Sequence, residues 1–329
     1  MNISVRASCL LATRLALVHA VGLLTVHTAF AGGGPCQEWN LVPTPDVGDS
    51  RTHLRSVAAL SPDDAWIVGD WRNAVGSFGP LAMRWDGETW SLQNLPSTAQ
   101  LGTQPETSGV EAAPNGDVWV VGKVTTGYPT GTLPLVLRWS DGDWAMVETV
   151  SLRPQTVYPF AARGGLLIEA FALADDDVWA VGIGAGFGDG GATSAPLAIH
   201  WDGSSWTEVD VPRVANRHHE LTGVVAIASD DVWAVGDYRN VADAFRGVTY
   251  HWDGETWAHV PSPIEAMPQS GLFDVAATGP NDVWAIGSAP DVGVVLMHWD
   301  GSDWSLATPP PNSGGSLIAT GGGELWASG

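Results

Sequence analysis

One tryptophan-centred unit recurs along this chain, and the repeat limits the fold more than any other feature. Six segments align: Asp64-Ala65-Trp66, Asp117-Val118-Trp119, Asp177-Val178-Trp179, Asp231-Val232-Trp233, Asp282-Val283-Trp284 and Glu324-Leu325-Trp326. Five of them lead into a Val-Gly or Ile-Gly pair. A second motif follows in five copies, Trp85-Asp86-Gly87-Glu88-Thr89-Trp90 and then the runs that close on Trp144, Trp206, Trp257 and Trp304. The tryptophans of the first motif stand 53, 60, 54, 51 and 42 residues apart, the length of a propeller blade with variable loops. A unit this short buries its apolar face only against its own copies, so an all-β propeller of about six four-stranded blades is expected.

The fourth copy shows the strands of one unit. Leu221 to Ala228 alternates small and branched apolar residues, Asp230-Asp231 turns the chain, and Val232 to Val235 resumes the apolar run. Val248 to Trp252 and Thr256 to Val260 supply two more strands, joined by Asp253-Gly254 and ended by Pro261. Asp-Gly between apolar runs signals a hairpin, because glycine tolerates positive φ and aspartate bonds its own backbone. The tryptophans on either side of that turn are expected to face each other or to stack between blades.

Residues 32–329 are therefore expected to form one propeller, with units at about 53–96, 108–150, 166–211, 220–262, 270–310 and 314–329. The last unit reaches Trp326 without a third strand or a W-D-G turn, and the rest is expected in a longer reading frame, since natural sheets avoid open edges. Glu38 to Pro45 matches the fourth-strand pattern of Glu255 to Pro263. Residues 37–46 are accordingly expected to close the ring as the outer strand of the last blade.

Residues 1–31 read as a secretory signal peptide, with Arg6 and Arg14, an apolar stretch to Phe30, and Ala29-Phe30-Ala31 before the cut. The mature chain is then expected to be secreted, periplasmic or at the cell surface. His19, Gly22, Thr25, His27 and Thr28 interrupt the stretch too often for a membrane span. Cys9 falls in the leader, so Cys36 stands alone and an internal disulfide is excluded. A net charge of −22, with Lys123 as the one lysine, repels phosphate backbones and argues against a nucleic-acid partner. No cofactor is called for, although calcium is the ion such a surface would attract.

The unit resembles the kelch repeat of the galactose-oxidase-like propellers. Asp231 to Gly236, Trp252-Asp253, Trp257 and Pro261 stand at the places of that pattern, with its glycine doublet reduced to one glycine. The resemblance implies a propeller. The oxidases of that family also carry a copper-radical site that needs a cross-linked cysteine and several tyrosine and histidine ligands. With Cys36 alone and four tyrosines in the chain, that site is not expected here.

His200, His251 and His298 occupy the repeat position of Arg84 and Arg138, one to a blade, so they are expected to be structural and not to share a metal. The candidate binding residues lie in non-repetitive loops. Trp71, Arg72 and Asn73 match Tyr238, Arg239 and Asn240, and an aromatic beside Arg and Asn can stack on a sugar or peptide and bond its polar groups. His218 and His219 join them; with Glu220 they put ligand-type residues side by side just before a first strand, but neighbours on an extended chain point opposite ways, so no metal clamp is expected. No catalytic residue stands out. The expected function is a secreted, non-enzymatic binding propeller that presents variable loops to a protein or carbohydrate ligand. The alternative is a glycan-active hydrolase or lyase with carboxylates at the propeller funnel.

Overall fold

The computed structural model describes residues 2–4, 41–45, 47, 51–72, 78–96, 104–125, 132–149, 164–188, 191–215, 217–310, 313–319 and 325–328. Five four-stranded antiparallel sheets follow one another, each with its strands in chain order. Blade one holds Arg51–Ser61, Asp64–Arg72, Phe78–Trp85 and Trp90–Leu92. Blade two holds Pro105–Ala112, Val118–Thr125, Thr132–Ser140 and Asp143–Met146. Blade three holds Gly165–Ala174, Asp177–Gly188, Gly191–Trp201 and Trp206–Val209. Blade four holds His219–Ala228, Asp231–Arg239, Phe245–Trp252 and Trp257–His259. Blade five holds Gly271–Gly279, Asp282–Ala289, Gly293–Trp299 and Trp304–Ala307. Among the described residues the one helical turn is the 3-10 segment Pro263–Ala266. The first strands of successive blades lie against one another, which makes them the inner strands of a propeller-type array.

The single glycine of each unit has a steric cause. The first strand bulges opposite it, at Arg55, Ser108, Ile168, Thr222 and Phe273, where the ladder skips a residue. That bulge drives a carbonyl oxygen at the glycine, so a Cβ on Gly69, Gly182 or Gly236 would stand 1.9, 2.0 or 2.1 Å from the oxygen of His53, Leu166 or Glu220. Only glycine fits there.

The tryptophans lock one blade to the next. Trp66 of blade one lies 5.1 Å from Trp139 and 5.5 Å, edge-on, from Trp144 of blade two. Trp119 repeats this on Trp201 and Trp206, Trp179 on Trp252 and Trp257, and Trp233 on Trp299 and Trp304. Both expected arrangements are present, since Trp201 and Trp206 also face each other at 5.9 Å across their own turn. The edge-on contacts suit the ring quadrupole, and full burial of Trp66, Trp119, Trp179 and Trp206 removes a large apolar area from water.

The last sheet departs from the expected pattern. Its described strands are Ser316–Ala319 and Leu325–Ser328, which pair only with each other. Leu41–Pro43, expected as its outer strand, pairs instead with Asn2–Ser4. A fourth strand needs a third to pair with, and the described residues supply none. Packing nonetheless places Val42 on blade one, against the cluster of Ile67, Met83, Trp85 and Trp90. Trp39 and Cys36 lie outside the described residues, as does most of the expected leader.

Candidate functional site

Each inner bulge sets the residue that follows it against the next sheet. The residue after each bulge reads Ser56, Gly109, Glu169, Gly223 and Asp274 from blade one to blade five. In blades one, three and five the side chain accepts a backbone N–H of the following sheet. Val110 N donates to Ser56 Oγ at 3.1 Å, Val224 N to Glu169 Oε2 at 3.1 Å, and Leu317 N to Asp274 Oδ2 at 2.8 Å. In blades two and four glycine lets the next backbone close in, and a Cβ on Gly223 would meet the Asp274 Cα at 3.0 Å.

This alternation brings carboxyl groups together. Glu169 reaches Val224 from blade three, while the Asp274 backbone flanks Gly223 from blade five and its carboxyl accepts from Leu317 N and Val275 N. Burial, then the charges of Asp274 and Glu111, hold the Glu169 carboxyl well above the usual carboxylate range. Burial also raises Asp274, to about 6, against the opposing pull of hydrogen bonds from Leu317 N, Val275 N and the Ser316 side chain. Neighbouring carboxyls in unlike environments are the arrangement acid–base chemistry uses.

A second cluster lies on blade four, where its first strand begins and its second ends. Glu220 pairs with Asp237 across the ladder. His218 Nε2 stands 3.2 Å from Glu220 Oε2, and His218 Nδ1 stands 2.6 Å from Ser194 Oγ of blade three. Asp237 Oδ1 is closed off from solvent and accepts no hydrogen bond. Burial and the neighbouring Glu220 push the Asp237 carboxyl up to about 7, while the hydrogen bond to Glu220 raises His218. The same end of blades one and two carries ion pairs, Arg55–Asp70 at 3.0 Å and Lys123–Glu106 at 3.2 Å.

The structure sorts the sequence candidates. His218 joins this cluster, whereas His219 points the opposite way, fully buried, with its Nε2 3.0 Å from the Tyr250 hydroxyl. Burial lowers the His219 imidazole to about 3. Tyr238 packs against His219 at 5.8 Å, and Trp71, at the same register in blade one, packs on the core of that blade. Arg239 lies 4.5 Å over Phe245 and 3.3 Å from Asp243, at the blade position of the exposed Arg72. Asn240 Oδ1 accepts the N–H groups of Ala242 and Ala244 at 3.0 Å and so shapes its loop. Asn73 lies outside the described residues.

Sequence reasoning missed Glu111, Glu169, Asp237, Asp274 and Ser194. For two of them a signal existed, because Glu169 and Asp274 are acidic residues inside apolar first strands. Glu220 and Asp237 meet only once the register between two strands is known.

Successive antiparallel four-stranded sheets with adjacent inner strands define a β-propeller-type repeat protein. No protein-family model and no curated protein matches the chain. Among solved structures it is similar to YCF48 from Cyanidioschyzon merolae, at 14% identity and TM-score 0.47, over 80% of this chain and 73% of that one. It is also similar to the GH74 xyloglucanase from Xanthomonas campestris, at 13% identity and TM-score 0.49, over 80% of this chain and 43% of that one. A third is the alpha-L-arabinanase of Penicillium chrysogenum complexed with arabinobiose, at 15% identity and TM-score 0.47, over 77% and 80%.

Proposed function

We propose that this chain is a glycan-active propeller in which Glu169 and Asp274 form an axial acid–base pair. The observation that carries the reading is that the two acidic side chains flank the first strand of blade four, Glu169 at Val224 N and Asp274 beside Gly223, near enough for the charge of Asp274 to raise the Glu169 carboxyl. Glycoside hydrolysis uses one carboxyl that keeps its proton for the leaving oxygen and one that is ionised toward water or the sugar. Glu169 suits the first role, because burial and negative neighbours hold its proton. Asp274 suits the second, because two backbone N–H groups and Ser316 donate to it. Residues 1–31, read as a leader, put this activity outside the cell, and the kelch-type reading of the repeat belongs to the same proposal.

A second reading is glycan binding without cleavage. It is favoured by the hydrogen bonds from Val224 and Leu317, which give both carboxyls structural work. Reducing-end release from a panel of polysaccharides decides between them. The proposal expects release by the full chain and its loss in Glu169→Gln and Asp274→Asn, isosteres that keep an acceptor for those N–H groups. Retention on a polysaccharide without release leaves the binding reading, and neither retention nor release removes both.

A further inference from the structure

We propose that His218, Glu220 and Asp237 of blade four form a site for a divalent cation of the zinc or manganese kind. One donor atom from each side chain lies within 4.8 Å of the other two. Ligand bonds of about 2.0–2.2 Å place neighbouring donors roughly 3.3 Å apart in a tetrahedral site, and the His218–Glu220 contact of 3.2 Å already has that spacing.

The shell behind the donors is built as metal sites require. Ser194 Oγ holds His218 Nδ1 at 2.6 Å and is itself fixed by the His219 N–H at 3.1 Å. With Nδ1 engaged there, Nε2 is the atom that faces the carboxylates. Asp237 Oδ1 supplies an independent sign, being a carboxylate oxygen shut off from water with no donor. Such an atom carries a desolvation cost that a cation would remove. Arg239 does not fill the place of the cation, since its guanidinium lies over Phe245 and pairs with Asp243.

Two carboxylates and a neutral imidazole match a charge of +2. Their mixed donors suit zinc or manganese, whereas calcium takes oxygen ligands alone. Three protein ligands leave a coordination position for water or a ligand hydroxyl.

The test uses tag-free full-length protein carrying Cys36→Ser, stripped with chelator and titrated with Zn²⁺ by calorimetry. One ion per chain is expected. Asp237→Asn and His218→Gln should each weaken binding at least tenfold, and Ser194→Ala roughly tenfold through the lost orientation of His218. His200→Gln, whose ring is locked to Asp177, should leave the titration unchanged. Near-UV circular dichroism of the tryptophans confirms that each variant is folded. Absence of saturable binding, binding indifferent to Asp237→Asn and His218→Gln, or preference for Ca²⁺ over Zn²⁺ would overturn the proposal. The titration contains no glycan, so its failure leaves the axial pair untouched, and the reverse holds too.

Discussion

His200 Nε2 stands 2.8 Å from Asp177 Oδ1 while the imidazole lies on Trp179, ring centroids 4.5 Å apart. The same three-part stack recurs around the array. Arg84 joins Asp64 over Trp66, Arg138 joins Asp117 over Trp119, His251 joins Asp231 over Trp233, and His298 joins Asp282 over Trp284. The opening Asp of each D-V-W element thus orients a flat cationic or polar group on the tryptophan two residues later. This explains why arginine and histidine exchange freely at one repeat position. His200→Arg should therefore leave stability nearly unchanged, while His200→Ala should cost about 1–2 kcal/mol through the lost hydrogen bond and stacking. Urea unfolding of the two variants side by side makes the comparison.

The inter-blade contact of Trp179 leads to a larger effect. Its ring is buried and meets Trp252 and Trp257 of the next blade, each at 5.3 Å. Trp179→Ala opens a cavity at that seam and should cost about 3–5 kcal/mol, read as a lower unfolding midpoint. Trp179→Phe keeps part of the ring and should recover a good share of the loss.

Much of this fold was legible because its rules are local. Gly87, Gly203 and Gly254 take φ near +90° in the turns that Asp-Gly announced, with Asp86, Asp202 and Asp253 capping them through their own side chains. Repetition then carried one readable unit along the chain. The inner bulge was less legible, since only the invariant glycine opposite it hints at the close carbonyl. The candidate sites were least so. Glu169 and Asp274 lie 105 residues apart in sequence and on blades that are not neighbours, a relation that periodicity cannot supply. The loop motif drew attention to Tyr238, Arg239 and Asn240, yet the residue before them, Asp237, is the one that reaches Glu220.

The raised carboxyls of Glu169 and Asp274 should weaken the fold as pH rises. Glu169 and Asp274 have carboxyls raised in the fold, so their contribution is complete below about pH 4 and is lost as pH rises, through about 6 for Asp274. Turn aspartates act in the opposite sense. Backbone and side-chain donors hold Asp86, Asp202, Asp253 and Asp300 below the usual range, so their contribution is present above about pH 4 and fades as pH falls, through about 2 for Asp202 and Asp300. Burial-lowered His219 opposes the raised carboxyls over the same range, since its contribution is present above about pH 6.5 and is lost as pH falls through about 3. The informative measurement is therefore the difference in melting temperature between wild type and Glu169→Gln from about pH 3 to 9. Glu169→Gln should flatten the alkaline side of the wild-type curve and leave the acid side as it was. A Glu169→Gln curve that runs parallel to the wild type from about pH 4 to 9 would contradict the assignment.

The packing of Val42 yields the last prediction. Three residues after the closing tryptophan of a unit, Val147, Val209 and Val260 each pack on the tryptophan cluster of the following blade. Val42 stands three residues after Trp39 and packs in the same manner on blade one, beside Trp85 and Trp90. Its side chain thus repeats the packing of a fourth-strand valine, although its backbone pairs with Asn2–Ser4 and not with Leu325–Ser328. Side-chain packing alone should then tie this segment to blade one. Val42→Ala should lower stability by about 1 kcal/mol, the value of a part-buried branched side chain, and Val42→Asp by more, since it sets a charge against an apolar cluster. Removal of residues 32–46 should uncover Trp85 and Trp90 and lower the melting temperature further than either substitution. If the deletion leaves the melting temperature and tryptophan emission unchanged, the segment is a linker that merely rests on blade one, and its likeness to a fourth strand has no structural consequence.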